Sequence, residues 1–122
     1  MSNNKKIVLA EDNSTLSLLL KFRLEKEGYE LLIAKDGKEA LELIEEHKPA
    51  IILTDIMMPF VSGLEVISHV RNKLSLEMPI VVFSAAGQEE TVLKAFDLGA
   101  NDFMGKPFSP NELVIRVKRL IG

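Results

Sequence analysis

Residues 50–55 read Ala50-Ile51-Ile52-Leu53-Thr54-Asp55, a run that is apolar almost throughout and ends in an acid. It lacks the in-out alternation of a strand with one wet face. Two further runs share its character, Ile7-Val8-Leu9-Ala10 and Pro79 to Phe83. Strands covered on both faces look like this, which implies a parallel sheet held between layers of helices. Glu30 to Ala34 and Asn101 to Met104 are the remaining strand candidates.

Between these runs the period changes to that of a helix. Asn13 or Ser14 is placed to cap a first helix running to about Glu27 and ended by Gly28. Asp36 caps a second, with Ala40, Leu41 and Ile44 on one face and Pro49 beyond its end. Ser62 and Glu65 form a capping-box pattern for a third, whose predicted buried stripe is Leu64, Ile67, Val70 and Leu74. A fourth is expected from about Gly87 to Leu98, stopped by Gly99. In the fifth, Ser109 is the cap, Pro110 takes a favoured first-turn place, and Leu113, Val114, Val117, Leu120 and Ile121 recur at helical spacing. The prediction is an α/β fold, a flavodoxin-like (βα)5 doubly wound parallel sheet of strand order 2-1-3-4-5. One domain over residues 1–122 is expected. Of the phenylalanines, Phe22, Phe83 and Phe96 are predicted in the core, and Phe60, Phe103 and Phe108 partly exposed.

Composition narrows the function classes. The chain has 122 residues, 47% hydrophobic and 27% charged, as in ordinary globular domains. It has no cysteine, which excludes disulfide frameworks, thiolate metal sites and cysteine nucleophiles. A formal charge of −3 gives no basic footprint, so direct nucleic-acid binding is not expected. No apolar stretch approaches the ~20 residues that span a bilayer, and Ile7 to Ala10 is too short for a signal-peptide core. A cytoplasmic protein without a membrane partner is the expectation.

The chemistry collects at the C-terminal ends of the strands. The first ends in Glu11-Asp12, the third in Asp55, the fourth in Ser84, and the fifth near Lys106. In open α/β sheets ligands bind outside these ends, where strand order reverses. The predicted order makes the first and third strands neighbours there, so three carboxylates crowd one crevice. Their repulsion calls for a cation, and an all-oxygen set suits Mg2+, with Mn2+ able to substitute. Acids at strand ends also serve as plain helix caps, but that reading weakens once Asp55 and Lys106 join the group. An aspartate at the mouth of a buried strand is a candidate nucleophile towards phosphorus. The transferring phosphoryl group then needs a cation, a fixed ammonium and a hydrogen-bond donor, which Mg2+, Lys106 and Ser84 would supply.

The segments Ile7 to Asn13, Leu53 to Pro59 and Gly99 to Phe108 resemble the receiver domain of two-component response regulators, the CheY-like family. The last is the most specific, reading Gly99-Ala100-Asn101-Asp102-Phe103 and then Lys106-Pro107-Phe108. The resemblance implies that Asp55 is the phosphoacceptor and that Glu11, Asp12 and Asp55 hold Mg2+ with the Met57 backbone carbonyl. It implies that Ser84 is the switch hydroxyl, Phe103 the switch aromatic, and Lys106 the partner of the phosphoryl oxygens. It further implies a cis Lys106-Pro107 bond. The expected partners are a sensor histidine kinase or phosphotransfer protein and a downstream effector or output domain. Homodimerisation through the fourth helix, fifth strand and fifth helix is among the associations it allows.

Some positions depart from the commonest pattern. Glu11 stands for an Asp, Ser62 for the Asp that often precedes Gly63, and Phe103 for a Tyr. Met57 and Ala86, which flank the site, position water poorly, so slow to moderate self-dephosphorylation is expected. The chain is thus read as a regulatory phosphoacceptor that assists its own chemistry, not as an enzyme. A dehalogenase-type phosphatase would want a second acid, which Asp55-Ile56-Met57 lacks. A pseudo-receiver would have lost an acid or the lysine. A flavodoxin-like electron carrier would want aromatic partners, and Trp is absent and Tyr29 is the only tyrosine. His47 and His69 are read as ordinary surface or boundary residues, and Met57-Met58 as loop packing.

Overall fold

A computed structural model describes residues 4–122. Its strands are β1 (Lys6–Ala10), β2 (Glu30–Ala34), β3 (Ile51–Asp55), β4 (Ile80–Ser84) and β5 (Asp102–Gly105). The helices between and after them are α1 (Ser14–Glu25), α2 (Gly37–His47), α3 (Gly63–Ser68), α4 (Glu89–Leu98) and α5 (Pro110–Ile121). All four strand pairings are parallel and the order is β2-β1-β3-β4-β5, the flavodoxin-like arrangement the apolar strands implied. Every residue of β3 and β4 is buried, so neither strand has a wet face.

Successive side chains along a strand point to opposite faces, and the core divides accordingly. Val8, Ala10, Ile52, Val82 and Ile80 face one layer, where they meet Ala40 and Ile44 of α2, Val66 and Ile67 of α3, and Val92 and Ala95 of α4. Ile7, Leu9, Leu53, Val81 and Phe83 face the other, against Leu20 and Leu24 of α1 and Leu113, Val114 and Val117 of α5. Among the described residues no helix is long and apolar enough to cross a membrane.

Helix starts follow their caps. Between the two candidates for α1 it is Asn13 whose side chain accepts the amide of Leu16, at 3.0 Å; Ser14 is already helical. Asp36 accepts from Glu39 at 2.8 Å, Ser62 and Glu65 close a capping box, and Ser109 accepts from Glu112 ahead of Pro110.

The structure corrects several expectations. Phe22 is 63% exposed, because two residues from Leu20 on a helix is more than half a turn away from the buried face. Phe96 lies at the border of the buried stripe of α4 set by Val92 and Ala95, and is also exposed. α4 starts at Glu89 and not near Gly87, since Gly87 takes a left-handed φ of 88° and Gln88 is non-helical. α1 ends at Glu25, short of the expected Glu27. β3, β4 and β5 each lie one residue later than expected; in β4 the reason is that Pro79 has no N–H to give the ladder. The stripe of α3 is Val66, Ile67 and Val70, with Leu64 and Leu74 only half-buried. The helix widens into a π-helical stretch, His69–Lys73, closed by the Leu74 amide on the His69 carbonyl, and this turns the later residues out of register.

Candidate phosphoacceptor site

The loops after β1, β3, β4 and β5 all leave the same end of the sheet. Parallel pairing fixes their relative heights: Ala10 lies beside Thr54, Asp55 beside Phe83, and Ser84 beside Gly105. The residues that end each strand therefore gather in one crevice. Glu11 is 1% exposed and Asp55 7%, whereas Asp12 faces solvent. Each of the three offers a carboxylate oxygen within 4.8 Å of the other two.

Lys106 joins the acids from the end of β5. Its Nζ donates to Asp55 Oδ2 at 2.6 Å and to Glu11 Oε1 at 2.8 Å. The Lys106 amide donates to the Ser84 carbonyl at 2.7 Å, which ties the lysine to the end of β4, and the Lys106-Pro107 bond is cis. The free oxygens of the acids are held from below. Glu11 Oε2 accepts the Asn13 amide at 3.1 Å, and Asp55 Oδ1 accepts the Met57 amide at 3.3 Å. The Met57 side chain points away and is exposed.

The electrostatics follow from burial against pairing. Burial pushes the Glu11 carboxyl above the usual carboxylate range; bonds from Lys106 and the Asn13 amide oppose it, while the Asp55 charge adds to it. Burial alone would lower the Lys106 ammonium, but the bonds to Asp55 and Glu11 outweigh it and hold the group above its ordinary value. The lysine is thus a fixed positive charge beside two buried acids. The donor set is all carboxylate oxygen, one member is open to water, and two acids share a single ammonium. Such a set fits a hard divalent cation that keeps part of its hydration, Mg2+ or Mn2+.

Ser84 is buried at the end of β4, and beside it lies a cavity of about 560 Å3. Its walls include Ala86, Val92, Phe96, Phe103 and Lys106. Phe103 is turned outward, half exposed, with its ring edge-on to Phe96 at a centroid distance of 6.2 Å. The structure therefore places Glu11, Asp12, Asp55, Ser84 and Lys106 at one end of the sheet, and Phe103 across a void from Ser84. His47 and His69 lie outside this crevice; His47 contacts Lys6 and Glu46. Sequence reasoning missed the double attachment of Lys106, since the reach of Glu11, one methylene longer than Asp, shows only in three dimensions.

A family model described as response regulator receiver domain matches residues 7–118. The chain is 40% identical over 118 residues to the alkaline phosphatase synthesis transcriptional regulatory protein PhoP of Bacillus subtilis, a match covering 97% of this chain and 49% of that protein. The chain thus spans about half the length of the curated relative it matches. Among solved structures, the receiver domain of the Francisella response regulator 1452 is 33% identical with a TM-score of 0.87, covering 97% of each chain. NtrX from Brucella abortus is 29% identical with a TM-score of 0.87, covering 95% of this chain and 26% of that one.

Proposed function

This chain belongs to the response regulator receiver domain family, and on that premise we propose that it is a phosphorylation-operated switch whose acceptor is Asp55. The observation that carries the reading is the pair of bonds from Lys106 Nζ to Asp55 Oδ2 and Glu11 Oε1, inside a cluster of three carboxylates. A structural ion pair needs one acid for one lysine. Three acids around one ammonium leave negative charge over, which favours a bound cation and, with it, an anionic phosphoryl group.

Glu11, Asp12 and Asp55, joined by the Met57 carbonyl, would hold Mg2+, which when bound supplies charge that offsets the equatorial oxygens of the transferring group. Asp55 Oδ2 attacks phosphorus; the P–N bond of a phosphohistidine donor breaks as the new P–O bond forms, and the imidazole leaves with the electron pair. Lys106 gives up its bond to Asp55 Oδ2 and follows the charge onto a phosphoryl oxygen, staying anchored through its amide. The Ser84 hydroxyl donates to another oxygen. That draws Ser84 towards the phosphate, and Phe103 turns into the space beside it. The result is a shift of population between two shapes of the α4–β5–α5 face. Phe103 has no hydroxyl, so packing alone separates its two positions.

In this reading residues 1–122 act as one receiver unit in the cytoplasm. A sensor histidine kinase or phosphotransfer protein is the donor, and an effector or output domain reads the altered face. A homodimer through α4–β5–α5 is one form that readout can take. Direct contact with nucleic acid or membrane is not part of it. Catalysis of a substrate's turnover is not required; the domain assists only the gain and loss of its own phosphoryl group. Because Met57 and Ala86 flank Asp55 without polar groups to orient water, that loss is slow to moderate. Incubation with acetyl phosphate tests the reading: Mg2+-dependent addition of one phosphoryl group supports it, and no addition, or hydrolysis of the small donor that D55N retains, defeats it.

A further inference from the structure

The loop between β3 and α3 carries a residue whose conformation works against its own side chain. Phe60 holds a left-handed φ of 67°, which glycine or asparagine adopts with far less strain than a bulky residue. No packing offsets that strain, for the ring is 87% exposed. The neighbours explain the backbone. Met58 and Val61 both pack onto the core beneath α2 and α3. The Val61 amide donates to the Pro59 carbonyl at 2.8 Å, and the Gly63 amide to the Ile56 carbonyl at 2.7 Å. Val61 sits so close over Gly37 that a Cβ there would meet its carbonyl oxygen at 2.1 Å. The chain must turn back at residue 60 to seat Val61, and the turn throws the Phe60 side chain into solvent from a fixed base. The fold accounts for the turn but not for an aromatic ring on it, and strained, over-determined positions of this kind gather at functional sites.

Resting on the phosphoacceptor reading above, we propose that Phe60 is a specificity-determining contact for the protein that delivers the phosphoryl group, and takes no part in the chemistry at Asp55. The Asp55 carboxylate is nearly buried, so a phosphorylated side chain must reach down to it. The body carrying that side chain then closes over the rim of the crevice. Phe60 lies on the loop that leaves β3 directly after Asp55 and is closed by the Gly63 amide on the Ile56 carbonyl, five residues of chain after Asp55 and so within roughly 17 Å of it; Met57 on the same loop is also exposed. An aromatic ring presented on a fixed loop is covered at little conformational cost, the usual property of residues that dominate an interface. The occupant it fits is an apolar face bearing a phosphohistidine. A small donor reaches Asp55 without meeting the ring.

The test compares the two kinds of donor on the parent, F60G and F60L. The protein donor is the radiolabelled histidine-kinase fragment from the source genome that phosphorylates the parent fastest. For F60G we expect transfer from that kinase to fall about tenfold, mainly through KM, the share of a well-covered aromatic contact. F60L keeps apolar bulk and is expected to retain most of the rate. Labelling by acetyl phosphate stays the same in all three. The urea midpoint of F60G is expected at or above the parent's, since glycine relieves the turn. Equal kinase rates for F60G and parent overturn the proposal, as does equal slowing with both donors or a fall in the F60G midpoint. Loss of a parental dimer in F60G with unchanged kinase transfer also overturns it, and assigns the ring to self-association. If acetyl phosphate does not label the parent, the phosphoacceptor reading itself fails.

Discussion

Replacing Lys106 with methionine, which keeps most of the side chain's length, should convert a stable cluster into a cation-dependent one. Lys106 is the ammonium bonded to both Asp55 and Glu11, at 2.6 and 2.8 Å, and the two acids lie among carboxylates whose oxygens are within 4.8 Å of one another. At an effective dielectric of about 20, two unit negative charges at that separation repel by about 3.5 kcal/mol. Partial access of water to the crevice reduces this, so we expect K106M to lose about 2–3 kcal/mol in the presence of EDTA. With a urea slope of about 1.5 kcal/mol/M, that is a fall in midpoint of about 1.3–2 M. Far-UV circular dichroism is the appropriate signal, as the chain has no tryptophan. Millimolar Mg2+ should restore much of the loss, because binding to the folded state alone adds stability by mass action. The reasoning is refuted if K106M unfolds at the parental midpoint in EDTA, or if Mg2+ moves the midpoint of neither protein.

Three further outcomes follow from the same packing and charge arguments. In G63A the new methyl would meet the Asp55 carbonyl oxygen at 2.3 Å and the Ile56 Cα at 2.8 Å; we expect a loss of about 3 kcal/mol and slower acetyl phosphate labelling, checked by urea melts and intact mass. Arg71 donates to the carbonyls of Gly99 and Leu76 and to Asn101 Oδ1, bracing the end of α4 from the π-helical stretch. R71A should cost about 1–3 kcal/mol and raise amide exchange over residues 95–101 ahead of the rest of the sheet. Glu27, bonded by Lys118 and Arg23, has its carboxyl held down at about 2, against about 4.5 for a free glutamate. A depressed acid stabilises the fold above its unfolded value and loses that contribution as pH falls towards the folded one. E27Q should therefore be less stable than the parent at pH 6, with the gap narrowing through pH 4 and 3, read from urea midpoints; a gap that widens on acidification contradicts the pairing.

Much of this was legible because the informative residues sit where one-dimensional pattern and three-dimensional position coincide. A fully apolar run such as Ile51 to Leu53 has only one comfortable place, inside a two-sided layer, and that made the sheet parallel and its strand ends the site. Glu11, Asp12, Asp55, Ser84 and Lys106 could then be grouped by asking what lies just past each strand. What escaped depends on rotation and reach. Phe22 sits between two buried leucines in sequence yet points to solvent. The π-helical stretch after Ser68 has no composition that announces it, and Leu74 at its end is left only half-buried. The left-handed turn at Phe60 is invisible in the sequence, since an aromatic residue does not announce a positive φ; it emerges only once Val61 and Gly37 are seen pressed together.

The central claim is that one buried carboxylate accepts a phosphoryl group with the help of the charges gathered around it. The most direct measurement is peptide mapping of the acyl phosphate after treatment with acetyl phosphate and Mg2+, with D55N alongside. The account predicts a single hydroxylamine-sensitive phosphate on the peptide containing residue 55 and none on D55N. Phosphate on any other residue of the parent, or equal labelling of D55N, would contradict it.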